Sequence, residues 1–326
     1  MVRLWAHGLL AVLLSVAAVP LAWAQPTFET AGSRALGMGG AFVAVADDAT
    51  ATHWNAAGLL TGGPAGMTIG WLRARSGRGE SPAEAGAWRA SGTLTSLGTW
   101  PLGVSYGTFE LTRLEASDNG LVTVRGLRTS QIGVTVLQTL VDGLVAGSTI
   151  RYIRGDVVRA ASLGGSIDDA MARIDDLEGR RSGAVDLDVS LMADMRRVRV
   201  GVTWKNLRSP TFGDVAETQL TIPRQARIGV AVLPVDGLTL ALDYDLETVD
   251  LLGDPRRMVA LGGEMRVAPR LAVRSGARWS IRGSRRLVGA AGVSVAIRPG
   301  LWLDGHYTQD ASLEDREFGV AIRAGR

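Results

Sequence analysis

The stretch Leu238–Glu247, LTLALDYDLE, decides the fold. Leu238, Leu240, Leu242, Tyr244 and Leu246 fall on one face of an extended chain, and Thr239, Ala241, Asp243, Asp245 and Glu247 on the other. Successive side chains of a strand point to opposite faces, so this is a strand with one hydrocarbon-like face and one charged or small face. The sorting recurs on either side. Val185, Leu187, Val189, Leu191 and Met195 oppose Asp186, Asp188, Ser190 and Asp194. Val198, Val200, Val202 and Trp204 oppose Arg199, Gly201, Thr203 and Lys205, and Leu271, Val273 and Trp279 oppose Arg270, Arg274 and Arg278. Phe318, Val320 and Ile322 oppose Glu317, Gly319, Ala321 and Arg323, and from about Gly66 onward the period of two holds almost throughout.

Two architectures produce such alternation. A soluble sandwich turns its apolar face into a core, whereas a transmembrane barrel turns it to lipid and lines the lumen with polar groups. The connections separate them. Short turns at Gly98–Pro101, Leu140–Gly143, Arg196-Arg197, Pro234–Gly237, Ala268–Arg270 and Arg298–Gly300 alternate with longer connections. The longer ones are Arg75–Ala85, Arg113–Asn119, Ala160–Ser182, Arg208–Arg224, Val249–Arg256, Ile281–Arg286 and Asp310–Asp315. Short periplasmic turns and long outer loops are the habit of outer-membrane barrels, and roughly fourteen strands fit between them with both ends on the short-turn side. Backbone polar groups in lipid must all be paired, so the sheet has to close. The expected fold is therefore all-β, a transmembrane antiparallel β-barrel of about 14 strands with an N-terminal lumenal hatch. The strand near Gly86–Leu97 has a diffuse pattern, and the one near Gly120–Thr139 is long enough to project beyond the membrane.

Composition removes several alternatives. The 326 residues contain no cysteine, which excludes a disulfide scaffold, a thiolate metal site and a thiol enzyme. Basic residues number 35 against 32 acidic, and Lys205 is the only lysine. The arginines are scattered along the chain and do not form the basic stripe that marks nucleic-acid binding. Residues 1–24 read as a signal peptide, with Arg3 in the n-region, an apolar run from Leu9 to Val19 and the small-residue site Ala22-Trp23-Ala24. The mature chain is expected to begin at Gln25, divided into a hatch over 25–65 and a barrel over 66–326, and to reside in the bacterial outer membrane. Phe318, Val320 and Ile322 keep the alternation of the last strand, after which the chain ends at Arg326 and not at a phenylalanine.

Residues 25–65 are rich in Gly, Ala, Asp and Thr and too polar to form a strand. Such a segment satisfies its backbone only in water or inside protein. Its portion SRALGMGGAFVAVADDATATHWNAAGL, Ser33–Leu59, resembles the opening of barrels of the FadL and PorV/PorQ superfamily, with a glycine-rich GMGGAF, an acidic-small VADDAT and a closing box. That box is typically Asn-Pro-Ala-Gly and here is Asn55-Ala56-Ala57-Gly58, without the proline that would preset φ. The resemblance implies a fourteen-stranded barrel plugged by its N-terminal segment. FadL-like members of the family pass hydrophobic molecules through the outer membrane, and PorV-like members serve in secretion.

Candidate functional residues follow from both readings. Phe42, Trp54, Asn55 and Gly58 are the hatch positions expected to meet a ligand, because an apolar molecule needs an apolar pocket and Phe42 and Trp54 are its obvious suppliers in a charged lumen. Asp186, Asp188, Arg199, Asp243, Asp245 and Arg274 are expected on the lumen wall, with the paired carboxylates meeting arginines such as Arg199 and Arg274. Asp47-Asp48 suits a helix cap or a lumen ion pair better than a metal. Gly37, Gly39 and Gly40 imitate a dinucleotide loop, but Phe42 takes the last glycine position and no strand precedes them, so no cofactor is expected. His306 shares a face with Asp304, and Ser294 stands on the preceding strand, yet strand-borne polar groups near a turn read as wall and the chain as a non-enzyme. Ile167, Met171, Ile174 and Leu177 have helical spacing in the longest outer loop, as a short amphipathic helix over the barrel mouth would. Arginine pairs Arg180-Arg181, Arg256-Arg257 and Arg285-Arg286 lie near outer loops, where guanidinium forks suit lipopolysaccharide phosphates. The expected partners are outer-membrane lipid, a hydrophobic small molecule and, on the PorV-like alternative, secretion-system proteins.

Overall fold

The computed structural model describes residues 31–76, 87–116, 122–162, 180–213, 219–250, 255–283 and 286–325. The barrel is built from β1 (Ala65–Ser76), β2 (Trp88–Thr99), β3 (Leu102–Ala116), β4 (Val122–Val141), β5 (Leu144–Ser162), β6 (Arg180–Asp194) and β7 (Val198–Lys205). It continues through β10 (Gln225–Val232), β11 (Leu238–Asp245), β14 (Met258–Ala268), β15 (Leu271–Ser280), β16 (Leu287–Arg298), β17 (Leu301–Asp310) and β18 (Asp315–Gly325). Two hairpins form separate two-stranded sheets: β8 (Thr211–Phe212) with β9 (Leu220–Thr221), and β12 (Val249–Asp250) with β13 (Pro255–Arg256).

The fourteen barrel strands form one closed antiparallel sheet, sealed by β1 against β18 from Gly66 opposite Gly325 to Ser76 opposite Asp315. Closure pairs the edges that an open sheet would leave to lipid. Among the described residues, register shifts occur only at the short-turn ends, between Thr139 and Val141, Arg266 and Ala268, and Ala296 and Arg298. The amphipathic loop helix expected around Ile167–Leu177, the signal segment 1–24 and Arg285 lie outside the described residues.

The faces sort as the decisive stretch requires. Leu240 and Leu242 are each nearly half exposed, whereas Asp243 and Asp245 on the other face are buried. Outward aromatic residues, among them Trp71, Trp100, Tyr106, Tyr152 and Tyr307, give the wall the amphipathic rings found where a barrel meets the membrane interfaces. Trp71 packs edge-on against Phe318 at 5.5 Å, across the β1–β18 seam.

One sector departs from the simple rule. Toward the long-loop ends of β2 to β5 several inward residues are apolar, including Trp88, Ala90, Leu111, Leu127 and Ile153, and several outward ones are polar, including Arg89, Ser91, Glu110, Arg128 and Arg154, although Leu114, Val124 and Val158 at outward positions are buried as well. Glu110 accepts from Arg128 Nε at 3.0 Å and lies 3.9 Å from Arg89 on that outer surface. β4 and β5, with 20 and 19 residues, are longer than the roughly 9–11 a tilted strand needs to cross the hydrocarbon. The wall therefore rises out of the lipid here, and its polarity inverts where its surroundings change from acyl chains to water. The same inversion makes the β2 pattern diffuse in sequence. Replacing Leu242 by Arg, in the lipid-facing part, should cost about 2–4 kcal/mol, while Ser91→Arg in the inverted sector should cost less than about 1 kcal/mol. Urea titration of folding into phospholipid bilayers measures both.

Candidate functional site

The N-terminal segment carries α1 (Ser33–Gly37), α2 (Ala51–Trp54) and a 3-10 turn (Ala56–Thr61). Almost every residue from Ala31 to Gly58 is buried, and its contacts reach inward-facing positions around the whole ring. Only a segment lying inside the ring can touch so many strands at once.

Glycines on the wall make room for it. Gly201 of β7 stands directly opposite Gly229 of β10, and Gly262 of β14 opposite Gly276 of β15. A Cβ on Gly201 would fall 2.5 Å from Val43 O, one on Gly262 2.9 Å from Met38 Cβ, and one on Gly276 2.6 Å from Gly39 N. On the far side, a Cβ on Gly147 of β5 would lie 2.6 Å from Ala57 N. Glycine inside a strand weakens it, so its repeated use at inward positions marks a close backbone approach. These residues were not among the sequence candidates. Their signal was present in the inward register of Gly201 and its counterparts, but which backbone they admit is a tertiary fact.

Polar side chains tie the segment to the glycine-lined wall. Asp243 Oδ2 accepts from the amides of Phe42 and Val43, both at 2.9 Å. Asn55 donates through Nδ2 to Val43 O at 2.8 Å and Leu191 O at 3.1 Å, while its Oδ1 accepts from Ala57 N. Lys205 Nζ lies 3.1 Å from His53 Nε2. Arg34 is the ionic hub, bonded to Asp47, to Asp48 and through Nη2 to Glu264 of β14 at 2.7 Å. Asp48 also accepts from Thr50 N at 2.9 Å, so it both braces the turn that precedes α2 and joins the ion cluster. Burial pushes the Asp48 carboxyl up, but the charge of Arg34, then of Arg323, and the Thr50 hydrogen bond together hold it below the usual carboxylate range.

Phe42, Trp54, Asn55 and Gly58 come together, though not around a ligand space. Phe42 and Trp54 are wholly buried and meet edge-to-face at 5.9 Å, and Trp54 Nε1 donates to Ala31 O at 3.0 Å. Arg34 sits 5.2 Å over the Phe42 ring. A Cβ on Gly58 would collide with Ala46 O and its carbonyl carbon. These residues form the segment's own core and expose no pocket wall.

The lumen carboxylates do pair with arginines, but with different ones from those expected. Asp186 and Asp188 bind Arg151 Nη2 at 2.9 and 2.7 Å, and Asp245 binds Arg227 Nε at 2.6 Å. Arg199 bonds Asp194 at 3.0 Å and lies 3.6 Å from Asp47, and Arg274 joins Glu264, Ser294 and Asp304. The reason is register. Arg151 faces Asp186, Arg227 faces Asp245, Glu264 faces Arg274 and Asp194 faces Arg199 directly across neighbouring strands. Asp243, opposite Gly229, turns to the segment's amides instead. Ser294 donates to Asp304, while His306 Nε2 lies 3.1 Å from Glu317, so Ser294 and His306 engage different carboxylates. Arg257 donates to the carbonyls of Asp245 and Leu246, and Arg286 bonds Asp315, so both are used within the protein.

The apolar compartment lies elsewhere. Inside the inverted sector, Ala74, Trp88, Ala90, Leu111, Leu127 and Ile153 form a buried cluster with Phe212 and Leu220 of the β8–β9 hairpin. Phe109, Val157, Ala184 and Ile222 pack around it. The expectation that Phe42 and Trp54 supply the apolar pocket is thus corrected: reading every inward face as polar hid this cluster. At the short-turn end, by contrast, a cavity of about 720 Å³ has the charged groups Arg34, Asp47, Asp48, Glu264, Arg274 and Arg323 among its lining residues.

Two outcomes test this arrangement. Gly262→Val should overpack the segment by about 1–3 kcal/mol and make it protease-sensitive while the barrel still resists heat in SDS gels. Because the Asp48 carboxyl is held below its unfolded value of about 3.9, its contribution is present above that value and lost as pH falls through the lowered one. Proteolysis of the segment should therefore rise on strong acidification, and Asp48→Asn should remove that component of the pH dependence.

A family profile described as "F plasmid transfer operon, TraF, protein" matches residues 79–245. A comparison with curated protein sequences gives no match. Among solved structures the chain is similar to CymD, a monoaromatic hydrocarbon channel, with TM-score 0.62 and 14% identity over 90% of this chain and 97% of that one. A FadL homologue from Pseudomonas aeruginosa gives 0.62 and 11% over 94% and 100%, and the Pseudomonas putida toluene transporter TodX gives 0.56 and 11% over 90% and 97%. At such identities the likeness is one of fold, and the secretion-component alternative finds no support among these structures. The closed ring of fourteen strands is the fold these solved structures share with the chain, and the profile match, which spans half of it, shows that the chain belongs to the family described as F plasmid transfer operon, TraF, protein.

Proposed function

We propose that the chain is a passive conduit for hydrophobic small molecules across the outer membrane, with residues 25–65 acting as its hatch. The observation that carries this reading is the apolar compartment inside the outer end of the barrel. A water-filled porin lumen is polar throughout, whereas an apolar molecule gains only by leaving water for an apolar wall. The compartment abuts the apolar core of the hatch along β1, where Leu72 belongs to one cluster and Ala74, two residues on, to the other. The ionic and amide ties of Arg34, Asp243 and Asn55 oppose free aqueous leakage by holding the hatch in place. The resemblance of the fold to hydrocarbon channels is consistent with this role.

Uptake measures it. Cells producing the protein in their outer membrane should accumulate labelled toluene or long-chain fatty acid faster than cells with an empty vector, with no gain for a disaccharide. Trp54→Ala and Asn55→Ala, which disturb the hatch core and its tie to Leu191, should reduce that uptake. Rates equal to the empty vector for every apolar solute would overturn the proposal.

A further inference from the structure

The compartment holds an aromatic ring that belongs to the connection between β7 and β10 and not to the barrel wall. Phe212 is wholly buried against the inward face of β5, where Gly155 leaves the space. A Cβ on Gly155 would lie 2.8 Å from Phe212 Cε1 and nearer still to Cγ and Cδ1, so any other residue at 155 would compete with the ring. Leu220, paired with Phe212 across the hairpin, is buried in the same cluster.

The hairpin is anchored at its base and only packed at Phe212 and Leu220. Asn206 is held on the ion cluster of the wall: its amide donates to Asp188 at 2.9 Å and its Oδ1 accepts from Arg151 at 2.7 Å. Arg208 N donates to Asp186 at 3.1 Å, and Asn206 Nδ2 to Pro223 O at 3.0 Å. Beyond that base, among the described residues, β8 and β9 pair only with each other and make no ladder with any barrel strand. Gly213, at φ +99°, follows Phe212 and gives the backbone a turn that other residues resist. Phe212 therefore stays in place through apolar burial, the same force that would hold an apolar ligand there.

Resting on the conduit reading, we infer that Phe212 is a built-in competitor for the binding compartment. A ligand enters by exchanging with its ring, and the compartment is shaped for a single flat hydrocarbon ring of that size. An intramolecular occupant lowers apparent affinity by the fraction of time it fills the site. Removing it should uncover a stronger site, and enlarging it should weaken the site further.

Toluene binding to the purified full-length protein in detergent tests this by calorimetry. Phe212→Ala should bind toluene at least ten-fold more tightly than the parent, and Phe212→Trp more weakly. A Phe212→Ala protein that migrates as a folded barrel but binds toluene no more tightly than the parent would overturn the inference. Should that variant fail to fold, the parent alone decides: saturating toluene should speed proteolysis within residues 206–224, and an unchanged rate would overturn it equally. The two proposals fail separately. Parent protein that raises toluene uptake while Phe212→Ala gains no affinity removes only the competitor, whereas absence of uptake for every apolar solute removes the conduit.

Discussion

The structure depends on one constraint: within hydrocarbon, each backbone amide and carbonyl needs a partner, because water is not there to supply one. A single antiparallel ring meets it, with β18 returning to β1 over eleven paired positions from Gly66 to Ser76. Once the ring closes, the outer face must be apolar, and whatever is charged has to be enclosed. The crowded interior is a consequence of the wall.

Enclosed charges are costly unless paired, and the chain pairs them by register. Arginine and carboxylate stand opposite each other on neighbouring strands at Arg151/Asp186, Arg227/Asp245 and Glu264/Arg274. Leaving either partner of such a buried pair alone would cost several kcal/mol, of order 3–5. The N-terminal segment completes the accounting. Its amides at Phe42 and Val43 donate to Asp243 Oδ2, and its Arg34 pairs with Glu264, while glycines at 201, 229, 262 and 276 allow its backbone to come within bonding distance of the wall.

Along β2 to β5 a single strand serves two solvents. Below Tyr106 and Ile132 the outward residues are apolar and face acyl chains; above them Glu110 and Arg128 pair on a surface facing water, and the apolar side turns inward. The same hydrophobic effect therefore drives opposite sorting in the two halves of one strand. The inward half produces an apolar compartment in a lumen that is otherwise ionic, and the β8–β9 hairpin closes it with Phe212.

Periodicity and connection lengths were enough to read the barrel from the sequence: LTLALDYDLE and its counterparts sort the two faces of each strand, and the alternation of short and long connections gives how many strands there are. Both are local properties, set by the pleat and by chain length between turns. Composition marked residues 25–65 as a stretch that forms no strand, but that Phe42, Trp54, Asn55 and Gly58 pack on one another was not legible there. The ion-pair partners, the glycine-lined approach of the segment and the seating of Phe212 over Gly155 belong to the tertiary structure. Each depends on how far one strand is displaced along the next, or on where a distant segment comes to rest, and a period-two pattern repeats identically under a shift of two residues. Alternation tells a residue which side it faces; only closure of the ring tells it whom it meets.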